Sequence, residues 1–373
     1  MMANQFGSIG ICLCGDVMTG RGVDQVLPHP GNPMLHEIYI HDARQYVQLA
    51  ELRNGPLVSP VDPGSLWGDA LNELRRPGID ARIVNLETSI TCSGDTWPAK
   101  GIHYRMNPEN IDCLTVAGID CCSLANNHML DWGYEGLAET LRCLDRADID
   151  RSGAGECLVE ATRPATIEVA GKGRVLVFSL GSATSGIPRE WGATEDRPGV
   201  NLLEDLSTKS ARHVAAAIDA LKRPGDVTLA SIHWGSNWGF EIPREQIRFA
   251  HTLVDGGVDI VHGHSSHHVK GIEVYHGHLI LYGSGDLIDD YEGISGHESY
   301  RSDVRLLYIA HADSVHGRLE ALRLVPMRIE RFRLHSASSA DQDGAEKLLN
   351  RLGSQFDTQV RPERDGSLTL LWR

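Results

Sequence analysis

Oxygen- and imidazole-bearing side chains recur along this chain directly after short apolar runs. Gly-Asp-Val-Met carries Asp16, and Asn-Leu-Glu carries Glu87. Ala-Asn-Asn-His supplies Asn126, Asn127 and His128, with Asp131 three residues on. Ile-His-Trp-Gly supplies His233, and Val-His-Gly-His-Ser-Ser-His-His supplies His262, His264, His267 and His268. Gly-Ser-Gly-Asp ends in Asp286, and Asp289, Asp290 and Glu292 follow. Singly, each has an ordinary explanation. Gly-Asp suits a turn, Asn suits a helix cap, and a lone His such as His233 suits a satisfied core position. The four-histidine run is harder to explain that way, because burying several imidazoles without a shared ligand leaves polar groups or charge unpaired. Carboxylate, amide oxygen and imidazole, with no Cys among them, suit a hard or borderline divalent ion such as manganese, zinc or iron. A carboxylate such as Glu87 can bridge two ions, and two ions can clamp an anionic substrate and generate hydroxide near neutral pH.

The elements that must position these residues read as α/β. Apolar, β-branched runs at residues 9–14, 83–86, 120–124, 175–180, 227–232, 258–261 and 279–282 predict strands, many buried on both faces. Residues 134–147 predict an amphipathic helix with Leu137, Leu141 and Leu144 on one side. Further helices are expected near residues 210–221 and from Pro243, placed at the first helical position, through Ile247, Ala250 and Leu253. The candidate residues then fall just past the carboxyl ends of strands, where open α/β sheets place their sites. After Asp303 the alternation changes, and runs at 305–310, 319–325 and 328–334 predict antiparallel strands extending a second sheet. A helix at 345–352 and an edge strand at 367–372 are expected to close the chain. Residues 29–65, rich in Pro, Gly and His with a short helix near 43–52, read as an insertion over the sheet edge. Residues 1–335 form the expected main domain, with 336–373 packed on it.

With 35 Lys+Arg against 50 Asp+Glu, the formal charge of −15 disfavours nucleic acid and anionic membrane as general partners. No apolar stretch approaches the ~20 residues that span a bilayer, and the amino terminus shows no secretory leader, so a cytoplasmic location is expected. The eight Cys form no pair of CxxC hooks, and buried reduced thiols are the preferred reading.

GDVMTGR, VNLETSIT, SLANNHMLDWG, SIHWGSNW and VHGHSSHHVKGIEVYHGHLILYGSGD match in order the blocks of the CapA, or poly-γ-glutamate capsule biosynthesis, family, itself similar to calcineurin-like metallophosphatases. The resemblance covers residues 8 to 335. It implies a four-layer α/β/β/α sandwich with metal at the strand ends. It also implies Asp16, Glu87, Asn127, His233, His264 and His267 as the metal-binding set, with His128 protonating or polarising the substrate. Two departures stand out: Asp16 is followed by Val17 and Met18 instead of completing Asp-x-His, and the second carboxylate lies in Asn-Leu-Glu instead of Gly-Asp-x-x-Asp. One divalent ion is therefore a safer expectation than two, with manganese, zinc, iron and calcium all open.

A weakened two-ion site counts against phosphoester hydrolysis. It leaves a pocket for the carboxylate end of a peptide or small acidic substrate, where a metal stabilises an enolate and acid/base residues exchange the α-proton. His128, Asp286, Asp289, Asp290 and His297 are candidates for that pair. A branch of the family resembles enzymes that invert the C-terminal residue of lasso peptide precursors, so epimerisation is the first expectation. A hydrolase of a phosphoester or γ-glutamyl amide is the second, and a metal-stabilised binding protein the third. Arg21 and Arg105 are read as carboxylate forks or, equally, surface ion pairs. Trp132, Trp234 and Trp238 are read as pocket walls or packing, and Lys100 as a solvated charge. Asn126, Asp131 and Glu273 are expected to support the cluster, Glu273 behind the histidines.

Overall fold

Side chains alternate across the first strand, β1 (Ser8–Val17), and both of its faces are covered. In this computed structural model, which describes residues 7–373, Ile9, Ile11 and Leu13 enter one apolar cluster while Cys12 and Cys14 enter another. Next to β1 lie, in parallel, β2 (Ala81–Leu86), β3 (Cys121–Ser123) and β4 (Asp150–Ser152). A second sheet holds β5 (Ala165–Val169), β6 (Gly173–Gly181), β7 (Asp226–His233), β8 (Ile260–His264), β9 (Ile272–Tyr275) and β10 (His278–Leu281), in the order β9-β10-β8-β7-β6-β5. Its four inner strands are parallel, and the edges β5 and β9 are antiparallel to their neighbours.

The chain then returns to the first sheet. β11 (Asp286–Ile288) pairs with the carboxyl end of β1, and β12 (Val304–Asp313) pairs along its other edge. β13 (Leu319–Glu330), β14 (Arg333–Ser336), β15 (Thr358–Pro362) and β16 (Leu368–Trp372) follow, giving the order β15-β16-β13-β12-β1-β2-β3-β4, with β14 on the end of β13. The late antiparallel strands thus extend the sheet of β1, not the second sheet. The reversal between β13 and β14 falls at Arg331 and Phe332, both at positive φ (54°). Glu292 accepts hydrogen bonds from their backbone N–H groups at 2.8 and 2.6 Å, which holds these two residues in a conformation their side chains disfavour. Strand β13 runs unbroken through Pro326, where a break was expected, and the reversal falls inside the expected 328–334 run. At the other end of the sheet the edge strand is β15, and β16 lies inside it.

Among the helices that complete the layers are α1 (Gly22–Val26), α2 (Arg44–Asn54), α3 (Gly133–Arg146), α4 (Thr208–Asp219), α5 (Arg244–Asp255) and α6 (Ser339–Gly353). Pro243 stands just outside α5 with extended ψ (138°), one residue earlier than its expected position. Leu137, Leu141 and Leu144 of α3 cover the outer face of the first sheet with Trp67 and Leu74. Ala211, Ala215 and Ile218 of α4, with Phe249, Ala250 and Leu253 of α5, cover the outer face of the second. Between the sheets, Ile9, Ile11, Leu13 and Ile83 meet Val175, Val177, Val227, Leu229 and Ile260. Burial of a side chain of this size contributes roughly 2 kcal/mol. This is the expected α/β/β/α sandwich. Ala345, Leu348, Leu349 and Leu352 of α6 join the inter-sheet cluster.

All eight Cys are free. Six are buried, Cys157 is half-buried and Cys92 is exposed, so buried thiols describe most of the set but not all.

Candidate metal centre

Strand register assembles the centre. Asp16 is the partner of Asp286 across β1 and β11 and of Asn85 across β1 and β2. His233 is the partner of His264 across β7 and β8. Parallel strands end side by side, so polar residues far apart in sequence share one end of the sandwich. Two groups of potential ligands result, Asp16 with His233 and His264, and Asp16 with His267 and Asp286. Within each group the ligand atoms lie within 4.8 Å of one another. All five residues are buried.

Asn85 is the hub. Its amide donates to Asp16 Oδ1 (2.8 Å) and Glu87 Oε2 (3.1 Å), and its oxygen accepts from Asn126 (3.1 Å). Asn126 also donates to Leu86 O (2.8 Å) and accepts from the His128 backbone N–H (3.1 Å), which ties the ends of β2 and β3 together. Ser265, at φ 98°, turns its N–H onto Asp16 Oδ2 (3.2 Å). A non-Gly residue in that conformation costs energy that the surroundings must offset. His233 Nε2 donates to Asn127 Oδ1 (3.1 Å), which leaves Nδ1 with a lone pair 2.8 Å from His264 Nδ1. Ser231, joined to Ser123 at 2.8 Å, lies 3.0 Å from His264 Nε2.

Beside this cluster, His128 Nδ1 meets Asp131 Oδ2 at 2.7 Å, while Lys100 Nζ binds Asp131 Oδ1 at 2.7 Å and approaches His128 Nδ1 to 3.2 Å. His128 Nε2 faces Glu87 Oε1 at 3.7 Å. Lys100, expected to be a solvated charge, is thus built into the site. Its position after Ala, before Gly, gave no sign of this.

The electrostatics fit a cation. Burial, then the Asp286 carboxylate, raise Asp16 to about 7. Burial and Asp16 raise Glu87 as well. Burial alone would also raise Asp286, but His267 and Arg305 outweigh it and hold its carboxyl below the ordinary range. Burial lowers His233 and His264, which keeps both imidazoles neutral, the form that ligates metal. Asp286 Oδ2 makes no hydrogen bond. A buried lone pair on His233, an unpaired carboxylate oxygen and an excess of buried carboxylate together match a divalent ion's ligand set.

Of the expected ligands, Asp16, His233, His264 and His267 fall within the two groups. Glu87 stands beside them, 3.9 Å from His233 Nε2, and Asn127 orients His233. Asp286, expected as an acid or base, falls within the second candidate ligand group. Asp289 and Asp290 are committed to arginines. Arg305 Nη2 bonds Asp289 Oδ2 at 2.6 Å, and Arg21 forks onto Asp290. Arg21 also donates to Glu37 and Tyr46, each at 2.9 Å, so its donors are taken up within the protein and it anchors α2. Arg105 donates to Ser93 O and Asn32 O and lies 3.8 Å over the Trp132 ring. Trp132 and Trp234 are buried packing residues. Trp238 is half-exposed, with its ring 5.4 Å from His267 and stacked on the exposed His297 at 3.8 Å. Glu273 bonds His251 and Tyr282, and among the described residues no hydrogen bond or ion pair joins it to His233, His264 or His267. The sequence signal for Asn85 was its place two residues before Glu87, which puts both side chains on one face of β2's end.

Fold and site together define an α/β/β/α sandwich with a candidate metal centre at its strand ends. The family described as bacterial capsule synthesis protein PGA_cap matches residues 10–291, and the chain belongs to that family. A probable polyglutamine synthesis accessory protein of Mycobacterium tuberculosis is 46% identical over 371 residues, 99% of this chain and 98% of that protein. The capsule biosynthesis protein CapA of Bacillus anthracis is 30% identical over 192 residues, 51% of this chain and 45% of its own length. The PGA biosynthesis protein CapA of Bacillus subtilis is 28% identical over 208 residues, 55% and 52% respectively. Among the described residues no helix is long and apolar enough to cross a membrane.

Proposed function

We propose that this chain is a metal-dependent acid/base enzyme of the CapA type acting on the carboxylate end of a peptide-like, glutamyl or glutaminyl substrate, with hydrolysis of a γ-glutamyl amide as the first reaction. The carrying observation is that Asp16 belongs to both ligand groups. Asp286 would take the place of the histidine missing after Asp16, and a restored two-ion site supports hydrolysis. The polyglutamine and PGA roles in the relatives' names support the substrate class. The net charge of −15 speaks against nucleic acid or anionic lipid as general partners.

Asp16, His233 and His264, with His267 and Asp286, would hold one or two ions. A divalent ion there supplies Lewis acidity and lowers the pKa of water. The protein's own part is proton transfer. Asp131 accepts the proton on His128 Nδ1, so Nε2 is the free acceptor on the side of Glu87. Burial takes His128 down to about 4 against the pull of Asp131, so the ring is neutral at rest. Nε2 can take a proton as the nucleophile forms and return it to the departing nitrogen.

A γ-glutamyl anilide offered to manganese-loaded protein tests this directly. Release of the aniline, lost in His128→Ala while metal content stays intact, is the expected result. Intact substrate with a full metal complement would sink the reading.

One observation favours α-carbon epimerisation, as on a ribosomal lasso peptide precursor. Two imidazole–carboxylate pairs, His128–Asp131 beside the centre and His267–Asp286 within it, offer an acid and a base. Deuterium at an α-carbon without bond cleavage in heavy water would place this reaction ahead of hydrolysis.

A further inference from the structure

Between α2 and the segment that joins β11 to β12 lies a cavity of about 470 Å³ that belongs to neither ligand group. Its walls include Arg53, Arg305, Arg328 and Tyr291. Arg305 is 3% exposed and is fixed through Nη2 to Asp289. Its Nε and Nη1 make no hydrogen bond, and the nearest carboxylate oxygen to Nη1, on Asp286, is 3.8 Å away. Buried guanidinium donors without acceptors are costly, and native structures rarely leave them so.

Arg53, in the last turn of α2, is a second cation on the same wall. Among the described residues no hydrogen bond or ion pair engages its guanidinium. The acidic groups of the cavity are already satisfied elsewhere. Glu292 accepts from Arg331 N, Phe332 N and Asn54, Glu298 accepts from Gly296 N, and Asp303 binds Arg301. The cavity therefore offers free guanidinium donors, while its carboxylates are already engaged by backbone, amide or arginine groups. It also adjoins the metal centre, because Tyr291 lines it and stands edge-on to His267 with ring centroids 5.2 Å apart.

We propose that this cavity is a subsite for a second oxyanion, carboxylate or phosphate, of the ligand that occupies the metal centre, with Arg305 as its buried donor and Arg53 at its wall. The inference rests on the metal centre being the ligand's other anchor, but the cavity's own affinity for an anion does not require metal. Charge-assisted hydrogen bonds from guanidinium are the strong kind, and their loss is measurable.

Glutarate and inorganic phosphate, titrated calorimetrically into the full-length protein with manganese and again with a chelator, provide the test. The expected result is saturable binding under both conditions, weakened about tenfold by Arg305→Lys and at least ~threefold by Arg53→Gln. Should Arg305→Lys fail to fold, Arg53→Gln on the rim decides alone. A preference for glutarate or for phosphate upholds the subsite and names its ligand. Binding that disappears with the chelator would belong to the metal centre and overturn the proposal, as would equal affinity in Arg53→Gln and the wild type. Failure to cleave γ-glutamyl amides would leave this result untouched, so the two readings fail separately.

Discussion

Asp16 and Asp286 are register partners on the parallel strands β1 and β11, and neither is more than 1% exposed. Two adjacent carboxylates in a dry interior are tolerated only with a proton or cation between them. His267, 2.9 Å from Asp286 Oδ1, supplies part of that compensation. A divalent ion would supply the rest. Asp286→Asn removes one ligand group and Asp16→Asn removes both. Elemental analysis after dialysis against manganese should find less metal than wild type in the first variant and almost none in the second. Wild-type metal content in Asp16→Asn would refute the shared role of that carboxylate.

Lys100 holds Asp131 in place and lies 3.2 Å from His128 Nδ1. Its positive charge is one of the causes, after burial, that lower His128. Lys100→Met should therefore raise the His128 pKa, seen by NMR titration of the ring, and lower turnover on the order of tenfold. Asp131→Asn should move the same resonance in the opposite direction. Unchanged titration in both variants would show that the trio does not act as a unit.

Much of this arrangement is legible in the sequence, for physical reasons that differ by element. Strands such as β1 and β7 are buried on both faces, so they read as continuous apolar runs, and their polar successors Asp16 and His233 mark the carboxyl ends. Strands β4 and β9 are short or half-exposed edge strands, and Asp150–Ser152 has no apolar run to detect. The place of Asp286 in the candidate ligand set was hidden because it depends on register with Asp16, a property of pairing that no local pattern encodes. The same holds for Arg21, whose partners Glu37, Tyr46 and Asp290 come from three separate segments. Next to Asp16, a free carboxylate fork and a buried clamp read identically.

The clamp around Arg21 joins α2 to the loop that follows β11. Arg21 is 4% exposed, and its ring contacts include Tyr46 at 3.9 Å and Tyr104 at 4.3 Å. Arg21→Met would leave Glu37 and Asp290 buried without their cation. Breaking one side of a buried pair costs roughly 3–5 kcal/mol, mostly from the stranded charge. Urea denaturation should show a loss of that size, and Arg21→Met combined with Asp290→Asn should be less destabilised than Arg21→Met alone. A double variant as unstable as the sum of the two singles would mean that the two residues are not coupled.

Lys270 presents the opposite situation, a buried cation with no anion. It is 3% exposed, its stem lies against Gly283, and among the described residues no ion pair engages its ammonium. Burial lowers its pKa to about 8, against ~10.4 in an unfolded chain. Below pH 8 both states carry the proton and the folded state bears the whole cost of the buried charge. Between 8 and ~10.4 the unfolded state binds more protons than the folded one, so stability rises with pH across that window. The gap corresponds to about 3 kcal/mol at most, and partial hydration of the ammonium brings it nearer ~1–2 kcal/mol. Lys270→Met should thus be more stable than the wild type by that amount at pH 7, with the advantage fading toward pH 10.5, as measured by denaturant melts at both values. An advantage that does not change with pH would locate the ammonium in water, and its cost would then be one of packing instead of charge.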